Sequence, residues 1–179
     1  MAEFYSMKIA GLERNLQKFP VSDTLDIAGF IIFGDVELTV AGSRELLAKA
    51  PEFDVILTPE AKSIPIAYEM SRQSGKPYIV ARKGVKVYMG SPIKVSVRSI
   101  TTQKEQTLYL GESDVELLKG KRVLIVDDVI STGESLSAVR ELVKTAGGIE
   151  VASCAFLAEG DASQRDDIIY LEQLPLFFK

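Results

Sequence analysis

The sequence predicts an α/β domain, a mostly parallel twisted sheet flanked by helices. Three observations carry that prediction. From residue 53 onward, aliphatic runs of strand length alternate with amphipathic stretches of helix length, the rhythm of strand-helix-strand crossovers. The strand candidates are apolar without alternation, as strands buried on both faces are. Their polar residues cluster where each run ends, and in parallel sheets those carboxyl ends share one rim where ligands bind.

The elements follow in order. Met7, Ile9, Leu12 and Leu16 recur at near-helical spacing and predict an amphipathic helix stopped by Pro20. Thr24 to Val40, aliphatic, aromatic and glycine-interrupted, predicts strands, and "SRELLAKA" predicts a short helix with Ser43 as N-cap. "FDVILTPE" reads as a strand and "SIPIAYEMSRQSG" as a helix from Ser63 to a stop at Gly75. "KPYIVARKG" and "KRVLIVDD" read as two further strands, "GESLSAVRELVKTAGG" as a crossover helix, and "IEVASCAFLAEG" as a fourth strand. Between Lys86 and Leu110 the rhythm breaks: "IKVSVRS" and "QTLYL" alternate around the polar "ITTQKE", which predicts a β-arm or lid standing off the sheet.

Composition narrows the chemistry. With 179 residues, 46% of them hydrophobic, the chain suits one globular domain, 1–179. Within it, 1–40 reads as an N-terminal helix and hood segment, and 84–111 as a flexible arm. A net charge of −4 offers no global attraction for nucleic acid or an anionic membrane. The single Cys154 excludes an internal disulfide, and the absence of histidine excludes His-based triads and His-containing zinc sites. Oxygen-ligated metals such as Mg²⁺ stay open. With no apolar run of membrane-spanning length and no signal-peptide pattern, the expectation is a cytoplasmic protein.

The strand ends carry three polar clusters: Thr58 to Ser63, then Arg82-Lys83, then Asp127-Asp128 followed by Ser131, Thr132, Gly133, Glu134 and Ser135. The last turn runs directly into a helix, whose free N–H groups and dipole favour an anion. Ser131, Thr132 and Ser135 add hydroxyls, and Gly133 lets the backbone approach closely. A phosphate fits there, while the paired carboxylates suit the vicinal hydroxyls of a ribose. Sugar plus phosphate means a phosphorylated pentose.

"VLIVDDVISTGESL" resembles the phosphoribosyl-pyrophosphate (PRPP) motif of the type I phosphoribosyltransferases. "VILTPEAKSIPIA" is similar to the pyrophosphate loop of the purine members, and "GKPYIVARKG" to their next strand, so the resemblance covers about residues 52 to 160. It implies the type I phosphoribosyltransferase fold and transfer of the phosphoribosyl group of PRPP to a purine, adenine favoured, with Mg²⁺. By that resemblance Asp127 and Asp128 are the catalytic pair on the ribose, and residues 131 to 135 hold the 5′-phosphate. Ala61, Lys62, Arg82 and Lys83 would take the pyrophosphate. "GFIIFGDV" looks like the adenine enzymes' base-contacting segment, which nominates Ile32 and Phe33, with Val129 and Ile130 as further base contacts. Lys94, Arg98, Lys104 and Glu105 are the lid candidates, and the resemblance suggests a homodimer.

The sequence also departs from the adenine pattern. Lys62 stands in the usual place of an arginine, Glu134-Ser135 in that of Gly-Thr, and Gly34 in that of another arginine. The arm lacks that family's "GKLP" segment and its catalytic-loop glutamate; Thr102 is nearest, with Glu105 three residues on. The arm looks more like those of xanthine phosphoribosyltransferases and PRPP-sensing purine repressors. Yet Gly160 stands where the xanthine enzymes have a base-contacting lysine, and no DNA-binding segment precedes the domain. A 6-oxopurine enzyme and a non-catalytic PRPP-binding regulatory module are therefore the alternatives.

Overall fold

The computed structural model describes residues 2–98 and 105–179. Its centre is a five-stranded, all-parallel sheet with strand order β10-β9-β8-β4-β5. The strands are β4 (Val55–Pro59), β5 (Tyr78–Ala81), β8 (Arg122–Ile130), β9 (Ile149–Glu159) and β10 (Ile169–Leu174). In β8, Val123 and Ile125 face one core and Leu124 and Val126 the other, which is why the strand reads as an unbroken apolar run. The first core is closed by α4 (Glu134–Thr145), α3 (Glu112–Leu118) and the ribbon of β6 (Ile93–Arg98) and β7 (Glu105–Leu110). The second is closed by α1 (Val36–Lys49), α2 (Ile64–Ser74) and an antiparallel hood sheet. The predicted fold class is what the chain adopts.

The N-terminal helix is not. Residues 1–40 contain β1 (Phe4–Ile9), β2 (Leu12–Ser22) and β3 (Leu25–Ala28), which join β11 (Leu176–Phe178) in the order β1-β2-β3-β11. The spacing misled because a two-residue turn changes parity: Tyr5, Met7 and Ile9 face inward before it, Leu12 and Leu16 after it. Ala10 and Gly11 make that turn at φ 48° and 79°, which matches the twist of a tight hairpin. Pro20, expected to stop a helix, sits at an irregularity in the β2–β3 pairing beyond the end of β1, where a missing N–H is tolerated.

The next correction concerns α1. Helix replaces the strand expected to reach Val40, and its N-cap is Asp35, whose carboxylate accepts from the Leu38 N–H at 3.1 Å. Arg14 of β2 grips the same carboxylate through Nε and Nη2 at 2.6 and 2.9 Å, so the hood hairpin holds the helix start. Ser43, the expected cap, is buried mid-helix. Strand β4, helix α2 with its Gly75 stop at φ 69°, and β5, β8, α4 and β9 lie where expected, whereas α3, β10 and β11 had no counterpart in the sequence reading.

The ribbon between Lys86 and Leu110 is present, but its root does not stand off. Leu108 and Leu110 are fully buried, Ile93 and Val95 pack on the same core, and the backbones of Arg82 and Tyr109 exchange hydrogen bonds of 2.9 and 2.8 Å. Its central segment, 99–104, lies outside the described residues.

Helix α1 crosses β9 at Gly42, where a methyl group would collide with the ring of Phe156. That ring is fully buried and also touches Phe30, so it has nowhere to go. Gly42→Ala is therefore expected to lower stability by about 1–3 kcal/mol, read as a lower urea midpoint at unchanged m-value.

Candidate active site

The polar strand ends converge on the carboxyl rim of β4, β5 and β8. Asp127 and Asp128 are the sixth and seventh residues of β8, still paired with β9, so the strand carries them into the protein before the chain turns. Asp128 is 5% exposed, and Asp127 keeps a partial opening to the surface. The Asp127 carboxylate accepts from the Asp128 N–H at 2.9 Å. Lys62 Nζ lies 2.8 Å from Asp128 Oδ2, an ion pair without hydrogen-bond alignment, so that buried oxygen has no directed donor. A buried carboxylate oxygen in that condition is a vacancy in the hydrogen-bond pattern, suited to a hydroxyl or a cation.

Beyond the pair the chain turns through Ser131 and Thr132, both exposed, and reaches Gly133 at φ 84°. That left-handed glycine is the N-cap of α4, and it lets the helix begin straight from the turn with its first N–H groups facing outward. Asp127, residues 129–133, Ser135 and Leu136 line a cavity of about 100 Å³. Asp127 and the helix N-terminus thus share one small pocket, while Asp128 is buried.

The next strand ends form a separate unit. Glu60 receives the Lys83 N–H at 2.9 Å and lies 3.3 Å from Arg82 Nε, and its own N–H donates to Ala81 at 2.9 Å. A cis peptide bond joins Glu60 to Ala61. Thr58 Oγ1 sits 2.8 Å from both the Val126 carbonyl and Ser63 Oγ, and Ser63 donates to the Pro59 carbonyl at 2.9 Å. These buried hydroxyls join the 59–63 turn to β8 just before its acids. Sequence reading placed Thr58, Glu60 and Ser63 in the cluster without giving them a task; only the fold shows that they position Lys62, Arg82 and Lys83.

The base candidates divide: Val129 and Ile130 line the Asp127 cavity, and Ile32 does not. Ile32 is 1% exposed and belongs to the α1/α2 core, and the groove it lines is formed with Val36, Val40, Pro65, Tyr68 and Tyr78 rather than with the acid pair. Ile130 is 3% exposed and is likewise core. Both aliphatic side chains are largely withdrawn from the surface, as their type favours. Phe33 is 54% exposed, beside Gly34 at φ 85°, and Val129 is partly exposed. Of the lid candidates, Lys94 is exposed on the ribbon face away from the core; the side chains of Arg98 and Glu105, and Lys104 altogether, lie outside the described residues.

Burial, and after it the charge of Asp128, raises Asp127 from 3.8 to about 8. Between those values the folded protein binds more protons here than the unfolded chain does. Stability from this group is therefore present at low pH and lost as pH rises through the folded value. Asp127→Asn removes that loss, so its melting temperature is expected to exceed that of the parent at pH 9, with the gap closing at pH 5.

The comparisons with known proteins agree with this arrangement. The family described as phosphoribosyl transferase domain matches residues 37–174. An adenine phosphoribosyltransferase of Thermotoga petrophila is 38% identical over 113 residues, 60% of this chain and 60% of that protein. The chain thus spans about three fifths of the length of that relative. A hypoxanthine/guanine phosphoribosyltransferase of Methanococcus voltae is 34% identical over 153 residues, 86% of this chain and 75% of the other. A crystal structure of adenine phosphoribosyltransferase from Thermoanaerobacter pseudethanolicus superposes with a TM-score of 0.73 at 24% identity, covering 89% of this chain and 95% of that one, which shows the shared fold. With a family match over most of its length, and Asp127, the turn and the helix N-terminus in one pocket, the chain belongs to the phosphoribosyl transferase domain family.

Proposed function

We propose that the chain is a single-domain purine phosphoribosyltransferase that transfers the 5-phosphoribosyl group of PRPP to a purine, adenine favoured. The products are a nucleoside monophosphate and pyrophosphate. The observation that carries this reading is the Asp128 oxygen, buried without a directed donor one turn before the N-terminus of α4. In it Asp127 and Asp128 accept from the ribose hydroxyls while the 5′-phosphate seats on residues 131 to 135, so sugar and phosphate are held at once. The base nitrogen forms a bond to C1 as the bond from C1 to the pyrophosphate oxygen breaks. Positive charge then develops on the sugar, and the carboxylates beneath it are placed to stabilise that charge. Ala61, Lys62, Arg82 and Lys83 take the leaving pyrophosphate.

Lys62 rests on Asp128 and Arg82 on Glu60. Substrate binding exchanges Lys62 from carboxylate to pyrophosphate. Lys62 is half exposed but Asp128 is buried, so the carboxylate needs the ribose hydroxyls as new partners when Lys62 leaves. Among the described residues no group of three or more acidic or thiol ligands could hold a metal unaided. Two carboxylates beside a phosphate-rich substrate do fit the way Mg²⁺ is commonly held, and Mg²⁺ would neutralise pyrophosphate charge when bound.

The Thermotoga relative supports adenine and the Methanococcus relative a 6-oxopurine, which stays as the second reading. We read the protein as a homodimer, supported by the exposed apolar Ile31, Phe33, Val36 and Tyr68 around the α1/α2 groove. Among the described residues no helix is long and apolar enough to cross a membrane, and the buried free thiol of Cys154 suits the reducing cytoplasm.

A panel of adenine, hypoxanthine, guanine, xanthine and orotate with PRPP and Mg²⁺ tests the reading by release of pyrophosphate. Adenine turnover is the expected result, and an oxopurine product overturns the base assignment. Binding of PRPP without turnover of any base would reduce the protein to a regulatory module. Asp128→Asn is expected to lower kcat by at least about 100-fold.

A further inference from the structure

The turn that receives the phosphate in this reading, residues 131–135, carries one carboxylate, Glu134, and no cation of its own. The guanidinium that reaches it comes from Arg165, in the turn between β9 and β10. Its Nη1 lies against Gly133 so closely that any side chain at 133 would run into it. The other two nitrogens are occupied: Nε and Nη2 donate to the two oxygens of Asp167, each at 2.8 Å. Asp167 is itself held by Arg140 of α4, at 2.6 Å to Oδ2 and 3.1 Å to its carbonyl oxygen. Arg140 is anchored on Glu150 of β9 at 2.9 Å. The chain of contacts from β9 through α4 to Asp167 therefore fixes the plane of the Arg165 fork and leaves its third nitrogen at the turn. A fork fixed in this way loses little entropy on taking a phosphate oxygen.

We propose that Arg165 is a further binding residue for the transferred group, its Nη1 donating to the 5′-phosphate seated on Ser131 to Ser135. The inference rests on the PRPP reading above. It also explains how Glu134 is accommodated: the guanidinium and the helix N-terminus offset a carboxylate that would otherwise repel the phosphate. Asp167 is a positioning residue in this scheme. The two arginines and the carboxylates of Asp167 and Glu150 balance in charge, so the effect of Arg165 is local and directed.

The test is isothermal titration of the full chain with ribose 5-phosphate and, separately, with pyrophosphate. Arg165→Gln is expected to weaken ribose 5-phosphate by about 10-fold or more, the range of a charged hydrogen bond, and to leave pyrophosphate unchanged, because that ligand seats at Lys62 and Arg82. Arg165→Lys, which keeps charge and loses the fork, recovers part of the loss. Equal affinity of parent and Arg165→Gln for ribose 5-phosphate overturns the proposal, and so does a parallel loss of both ligands, which marks general loosening. Failure of the parent to bind ribose 5-phosphate overturns the PRPP reading itself.

Discussion

Two carboxylates held at the end of a strand buried on both faces are the constraint around which the rest of the rim is arranged. An unpaired, ionised carboxylate in such a place costs several kcal/mol, more than one ordinary contact returns. The protein meets that cost from three directions. Asp127 accepts a backbone N–H and opens to the pocket, Asp128 lies beside Lys62, and burial pushes Asp127 toward its protonated form. The strand between them cannot relax, because β8 is hydrogen-bonded to β4 on one side and β9 on the other. At the far end of the sheet, Arg122 grips the Asp54 carboxylate through Nε, Nη2 and its backbone N–H, and its carbonyl accepts from the Asp54 N–H. A slip of β8 along β4 would break that pair and the Thr58 to Val126 contact together.

The cations at the rim are each placed beside an acid rather than clustered. Lys62 neighbours Asp128, Arg82 neighbours Glu60, and Arg165 neighbours Asp167. Arg165 shares its acid with Arg140, and the carboxylate between them offsets the repulsion of the two guanidinium groups. The pairs also differ in commitment. Arg165 is locked bidentately and stays put, whereas Lys62 makes one poorly aligned contact from a half-exposed position and is free to change partner. The geometry therefore separates a fixed guanidinium beside the β8–α4 turn from an exchangeable ammonium beside Asp128.

How far the sequence discloses this depends on whether the determinants are contiguous. Strand β8, its acids and the start of α4 occupy one unbroken stretch, so strand period, turn chemistry and helix start could all be read from it. The hood is different. Its parity change at Ala10-Gly11 carries no Asn-Gly or Asp-Gly signal, and its fourth strand comes from the other end of the chain. The cap of α1 depends on Arg14, 21 residues earlier, and no local pattern announces that pairing. Arg165 was missed for the same reason: only the fold brings the β9–β10 turn against Gly133. Helix α3 is short and begins on a glycine without a side-chain cap, which left it no signal above its loop.

The base is hard to read from sequence because the residues around its expected place are assembled from three distant segments. Ile32 and Phe33 sit on the turn before α1, Gly160 at the end of β9, and Leu176 at the start of β11. The antiparallel pairing of Leu176 with Ile27 closes the hood and presses the leucine onto Gly160. A Cβ at 160 would come within 2.8 Å of Leu176 Cδ1, on a backbone at φ 57° that disfavours any side chain. A lysine there, the feature that xanthine-type sequences carry, would have to displace β11 and strain the turn. Gly160 is thus required by the way the hood closes. Of these residues Phe33 is the exposed aromatic, so the hood side of the rim keeps an open ring face while Ile32 beside it is buried.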